Sequence, residues 1–213
     1  MKEIEVTFPS AQLLLEGILA LPEGHGPFPA VIVCHPHPLG GGSMDNNVVN
    51  SLCAALVRAS LASFKFNFRG VGRSQGIHSH GVGEPKDVMA AVSYVSDLSE
   101  IDSGRIGLVG YSAGAGYATP VGVDDERVKA LALVSLPLDM IDFTVLKDCL
   151  KPKFLISGGR DNIINARQFL KFCQELAEPK EYDCIEMADH FWWGYEEALG
   201  EKVAAFFTRA LSV

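Results

Sequence analysis

The chain has 213 residues, of which 48% are hydrophobic and 21% charged, the balance of a globular protein rather than a disordered or fibrous one. A chain of this length buries enough surface to hold a core without a disulfide or metal staple. With 18 Lys and Arg against 26 Asp and Glu, the net charge is −8, the wrong sign for holding a phosphate backbone by counterion release, which excludes nucleic acid as a partner.

Ile4, Val6 and Phe8 alternate with Glu3, Glu5 and Thr7, which predicts a strand, not the continuous apolar core of a secretory leader. Pro9 and Ser10 form a turn before a second strand over 13–20, and residues 22–29, interrupted by Gly and Pro, read as a loop. From there the pattern changes to short, continuous apolar runs at 30–34, 61–68, 106–109, 128–134 and 154–157, as in strands buried on both faces of a parallel sheet. Val88, Ala91, Val92 and Val95 follow Pro85 at helical spacing, and Tyr195, Leu199, Val203, Phe206 and Ala210 mark a last amphipathic helix. Strands alternating with helices predict an α/β fold, one domain over 1–213 with a mostly parallel sheet between two helical layers. No run approaches the roughly 18 apolar residues of a membrane span. Cys34, Cys53, Cys149, Cys173 and Cys184 are odd in number and lack C-x-x-C spacing, which predicts reduced, buried thiols in a cytoplasmic protein.

The sharpest feature is Gly110-Tyr111-Ser112-Ala113-Gly114, directly after the apolar run at 106–109. G-x-S-x-G at a strand-to-helix junction is a nucleophile elbow. The turn is so tight that side chains two positions to either side of the serine would clash, and it leaves the Ala113 N–H pointing at a substrate oxygen. Gly110, Gly114 and Gly116 also spell a dinucleotide loop, but that loop belongs on a first strand near the N-terminus. No Tyr-x-x-x-Lys pair follows it here.

A serine nucleophile needs a base, and in this elbow the chain order is Ser, acid, His. His25, His35, His37, His78 and His80 all precede Ser112, so His190 remains, between an expected strand over 182–187 and the last helix. Asp161 follows the strand at 154–157 and the turn Gly158-Gly159-Arg160, and is the expected acid, holding the imidazole tautomer. Asp139, after the preceding strand, is the alternative; Asp189 is too close in sequence to face its neighbour.

With these residues the chain resembles the α/β-hydrolase superfamily, and within it the small lidless esterases and dienelactone-hydrolase-like proteins, over nearly its whole length. His35-Pro36-His37-Pro38-Leu39-Gly40-Gly41-Gly42 matches the family's oxyanion loop, and Arg69-Gly70-Val71-Gly72-Arg73-Ser74 its R-G-x-G-x-S turn. Dienelactone hydrolase itself has a cysteine where this chain has Ser112. Lids of this fold are inserted before the strand at 154–157. The 19 residues 135–153 leave room for a loop and a short helix over 142–148, but for no cap domain.

The resemblance implies a carboxylesterase acting on small to medium soluble esters through an acyl-enzyme, with Ser112, His190 and Asp161 as its triad. It implies no metal or organic cofactor, no membrane partner, and a monomer or homodimer. Backbone N–H groups of Ala113 and of either His37 or Leu39 would form the oxyanion hole, since Pro36 and Pro38 have none to give. The rings of His35 and His37 are expected to shape their loop; as zinc ligands they lack a third partner. Arg69 is expected to brace loops. Phe191, Trp192 and Trp193 either wall the pocket or pack under the last helix. A thioesterase or a small amide or peptide hydrolase shares the triad chemistry, and a nucleotide-tailed thioester would call for a basic rim from Arg69, Arg73, Lys86 or Arg160. A non-catalytic ligand-binding scaffold is the alternative from another class.

Overall fold

The computed structural model describes residues 2–212. The alternating start forms β1 (Lys2–Ser10), which pairs antiparallel with β2 (Leu13–Leu21), setting Phe8 opposite Leu15 and Ile4 opposite Leu19. Phe8 is buried while Glu3, Glu5 and Thr7 face solvent, as the two-residue period requires. The apolar runs form β3 (Phe28–Cys34), β4 (Ala62–Phe66), β5 (Ile101–Tyr111), β6 (Val128–Val134) and β7 (Lys153–Gly158), with β8 (Lys180–Ile185) at the edge. The eight strands lie in the order β1-β2-β4-β3-β5-β6-β7-β8. β2 meets β4 antiparallel, and every pairing from β4 to β8 is parallel.

Alternate residues of β3 divide the core. Ala30, Ile32 and Cys34 pack beneath α2 (Glu84–Ser96) and α3 (Ala113–Asp124). Val31 and Val33 pack on the other face with α1 (Asn47–Arg58) and α5 (Glu196–Ala210). α4 (Ala166–Glu175) covers Leu133 and Leu155 toward the β8 edge. Cys34, Cys53, Cys149 and Cys173 are buried, and all five thiols are unbridged. Among the described residues no helix is long and apolar enough to cross a membrane.

Two expected elements are shorter than their sequence pattern. The run at 61–68 leaves the ladder after Phe66, because the Asn67 N–H donates to Glu16 O and the Phe68 N–H to the ring of His35. The expected helix over 142–148 is a single 3₁₀ turn, Thr144–Leu146. Phe143 and Leu146 are buried there, three residues apart, and one tight turn suffices to put both into the core. β8 runs slightly earlier than the expected 182–187. No cap domain lies between β6 and β7.

The Arg69 turn is braced from within. Arg69 Nη2 and Nε donate to the two carboxylate oxygens of Asp87 at 2.7 and 2.9 Å, and the Arg69 N–H adds a third bond. Asp87 is fully buried and also accepts from Ser10 Oγ at 2.6 Å, so this pair ties the turn after β4 to α2 and β1.

Candidate active site

β5 delivers the chain to Tyr111, α3 begins at Ala113, and Ser112 makes the corner with φ 55° and ψ −121°. Such angles cost a non-glycine residue about 1–3 kcal/mol and persist only where the surroundings enforce them. The two glycines show what enforces them. A Cβ on Gly110 would stand 2.5 Å from Gly114 O, and one on Gly114 would stand 2.5 Å from Cys34 O. Both obstacles are backbone, which cannot yield.

At the corner, Ser112 Oγ lies 3.1 Å from His190 Nε2, and His190 Nδ1 lies 2.8 Å from Asp161 Oδ2. A carboxylate only accepts, so the Nδ1 proton belongs to the Asp161 bond and Nε2 is left to accept from the serine hydroxyl. The Asp161 side chain is fully buried, and its other oxygen accepts the N–H groups of Ile163 and Ile164 at 2.9 Å each. The histidine is held through its backbone. Tyr111 Oη donates to His190 O at 2.7 Å, and Asn47 Nδ2 donates to Phe191 O at 3.1 Å. The alternative acid, Asp139, is exposed and accepts from Gln168 Nε2 at 2.7 Å, away from the imidazole.

The loop after β3 is set by His35. Its Nε2 accepts the Phe68 N–H at 3.1 Å, so Nδ1 carries the ring proton and donates to Pro36 O at 2.7 Å. Burial pushes the pKa of His35 down to about 4, with the Pro36 bond opposing, so the ring is neutral and structural. The ring of His37 also acts locally, accepting the Leu39 N–H at 3.2 Å. That bond separates the two oxyanion candidates. Leu39 has spent its N–H and lies outside the cavity, whereas the N–H groups of His37 and Ala113 have no partner among the described residues, and both residues line the cavity at Ser112.

That cavity measures about 520 Å³. Pro137, Met140, Ile141 and Ile163 give it apolar walls, and His37, His80 and Tyr117 give it polar ones. Of the two places left open by the sequence for Phe191, Trp192 and Trp193, the wall of this cavity is the one they do not take. Trp192 has φ 62°, is fully buried against the sheet and α5, and donates Nε1–H to Ser135 Oγ at 3.2 Å. Phe191 and Trp193 flank it, 51% and 66% exposed, outside the cavity lining. Sequence reasoning placed the segment 136–146 beside the acyl groove without singling out Met140 or Ile141, and it missed Ile163. Their signal was position: they follow the C-terminal ends of β6 and β7, where open α/β sheets bind ligands.

Comparison with known proteins agrees with this architecture. A family model described as an alpha/beta hydrolase domain matches residues 29–208. An uncharacterised protein of Rickettsia prowazekii is 32% identical over 172 residues, covering 77% of this chain and 72% of that protein. The structure of an alpha-beta serine hydrolase homologue from Coxiella burnetii superposes with a TM-score of 0.87 at 33% identity, covering 96% of this chain and 97% of that one. A serine hydrolase without a lid from Xanthomonas campestris superposes with a TM-score of 0.89 at 27% identity, covering 100% and 97%. The chain belongs to the α/β-hydrolase family, in its small, lidless form.

Proposed function

We propose that the protein is a serine carboxylic-ester hydrolase for small to medium soluble esters. The observation that carries this reading is the hydrogen-bonded series Ser112, His190, Asp161 beside a cavity with two unpartnered N–H groups. Ser112 Oγ attacks the ester carbonyl while His190 Nε2 takes its proton. The tetrahedral oxyanion is held by the N–H groups of Ala113 and His37, each worth about 3 kcal/mol in a preorganised site. His190 returns the proton to the departing alkoxide, leaving an acyl-Ser112. Water then gives a proton to His190, attacks the acyl carbon and releases the acid, and the proton returns to Ser112. Asp161 holds the imidazole through Nδ1 and stabilises the imidazolium.

Two observations favour an ester over a nucleotide-tailed thioester. Arg69 is engaged by Asp87, and Arg73 by Glu16 and Glu5, so two of the expected basic rim residues are already paired. No Lys or Arg lines the cavity. A panel of p-nitrophenyl esters of rising acyl length, run beside acyl-CoA thioesters, tests the reading. Each methylene that is buried adds about 0.8 kcal/mol, roughly a fourfold gain in kcat/KM, so the rate should climb from acetate to about hexanoate and then level. A preference for acyl-CoA, or for long chains with a jump at a lipid interface, would overturn it.

A further inference from the structure

A cavity shaped only for an aliphatic arm would be apolar all round, and this one is not. Tyr117 packs largely into the core and lines the cavity, where its hydroxyl oxygen is accessible and accepts or donates no hydrogen bond among the described residues. Burial, and after it the charge of Glu84, pushes its pKa up to about 12, so it remains a neutral O–H donor. Beside it stand three imidazoles in a row, with ring centroids 5.0 Å apart for His37 and His78 and 4.9 Å for His78 and His80. His37 and His80 line the cavity. The His78 side chain is 6% exposed; its Nδ1 lies 2.9 Å from Glu84 Oε1 but off the line of a hydrogen bond, and neither ring nitrogen has one.

The surrounding charges are accounted for. Glu84, at the start of α2, is fully buried, and its oxygens accept Ser79 N–H, Ser79 Oγ–H and Gly81 N–H; it does not line the cavity, though its charge is felt by Tyr117 and His37. Arg69, in the turn after β4, is spent on Asp87. No Asp or Glu lines the cavity. Among the described residues no three His, Cys, Asp or Glu side chains converge as metal ligands would.

We propose that Tyr117 and His80, with the His37 ring, form a recognition subsite for an ester arm that ends in a carboxylate; the inference rests on the hydrolase reading for the reaction and on the cavity alone for the binding. The methylenes of such an arm lie against Met140, Ile141 and Ile163, while its carboxylate accepts from the Tyr117 hydroxyl and the imidazole N–H groups. The carboxylate of such an arm stays ionised down to about pH 4.3, so both its oxygens accept from the phenol and the imidazole N–H groups.

The test compares kcat/KM for p-nitrophenyl hexanoate and mono-p-nitrophenyl adipate, arms of equal length of which only the second ends in a carboxylate. Both compete for the same free enzyme and share its acylation chemistry, so any change in the triad cancels in their ratio. The adipate-to-hexanoate ratio should be at least one at pH 7.5. Tyr117→Phe should lower the ratio about tenfold, the worth of a charge-assisted hydrogen bond, and His80→Leu, which removes an imidazole donor, should lower it by a similar factor. A ratio well below one at pH 7.5, or variants that leave it unchanged, would overturn the subsite. If neither ester is cleaved, the hydrolase reading falls, and binding of adipate to Ser112→Ala decides the subsite. Perturbation of the His80 ring signals in NMR by adipate, and not by hexanoate, supports it; no perturbation overturns it.

Discussion

Acid should loosen this protein through one imidazole. His35 is fully buried, takes the Phe68 N–H on Nε2 and gives its Nδ1 proton to Pro36. A second proton would have to sit on Nε2, facing an N–H and out of reach of water. Burial therefore holds its pKa at about 4, the Pro36 bond opposing, against 6.5 for an unperturbed histidine. Between these values the unfolded chain binds the proton and the folded chain does not. The contribution to stability is complete above pH 6.5 and is lost as pH falls toward 4. The gap corresponds to about 3 kcal/mol, a sizeable part of the roughly 5–15 kcal/mol that holds a folded domain together. Urea unfolding across pH 4 to 7.5, for the wild type and for His35→Gln, isolates this residue from the carboxylates that titrate in the same range. Gln offers an acceptor to the Phe68 N–H and never titrates. The advantage of the wild type over the variant should shrink by about 3 kcal/mol from pH 7.5 to 4. A difference that stays constant with pH would refute the reasoning.

Two further substitutions probe the site and its frame. Asp161→Asn removes the acceptor for the Nδ1 proton and leaves the imidazole in the wrong tautomer; kcat on a p-nitrophenyl ester should fall about 10⁴-fold with little change in melting temperature. Arg69→Ala strips a fully buried Asp87 of its cation, which costs about 3 kcal/mol and should lower Tm on the order of 10 °C by calorimetry.

The catalytic candidates were legible because their constraints are local or ordinal. The elbow is written in five residues, since the steric demand on Gly110 and Gly114 comes from backbone atoms at 2.5 Å. Chain order left a single histidine after Ser112, and a turn after β7 singled out Asp161. The pocket was illegible for the opposite reason. Phe191, Trp192 and Trp193 look alike in sequence, and only the positive φ of Trp192 decides that its indole enters the core. Met140 and Ile141 sit in an irregular segment with no period to read, where burial of Phe143 and Leu146 accompanies their place on the cavity. The apolar run at 61–68 overstated its strand because Asn67 and Phe68 spend their N–H groups on Glu16 and His35, partners distant in sequence.

Covalent labelling tests the central claim most directly. In a fluorophosphonate, the phosphorus takes the place of the ester carbonyl; attack by Ser112 Oγ expels fluoride and leaves a stable phosphonyl-serine. Intact mass and peptide mapping should show one adduct per chain, on Ser112, absent from Ser112→Ala and strongly slowed in His190→Ala. A folded protein that resists labelling, or one labelled at a cysteine instead, would contradict a serine hydrolase built on Ser112, His190 and Asp161.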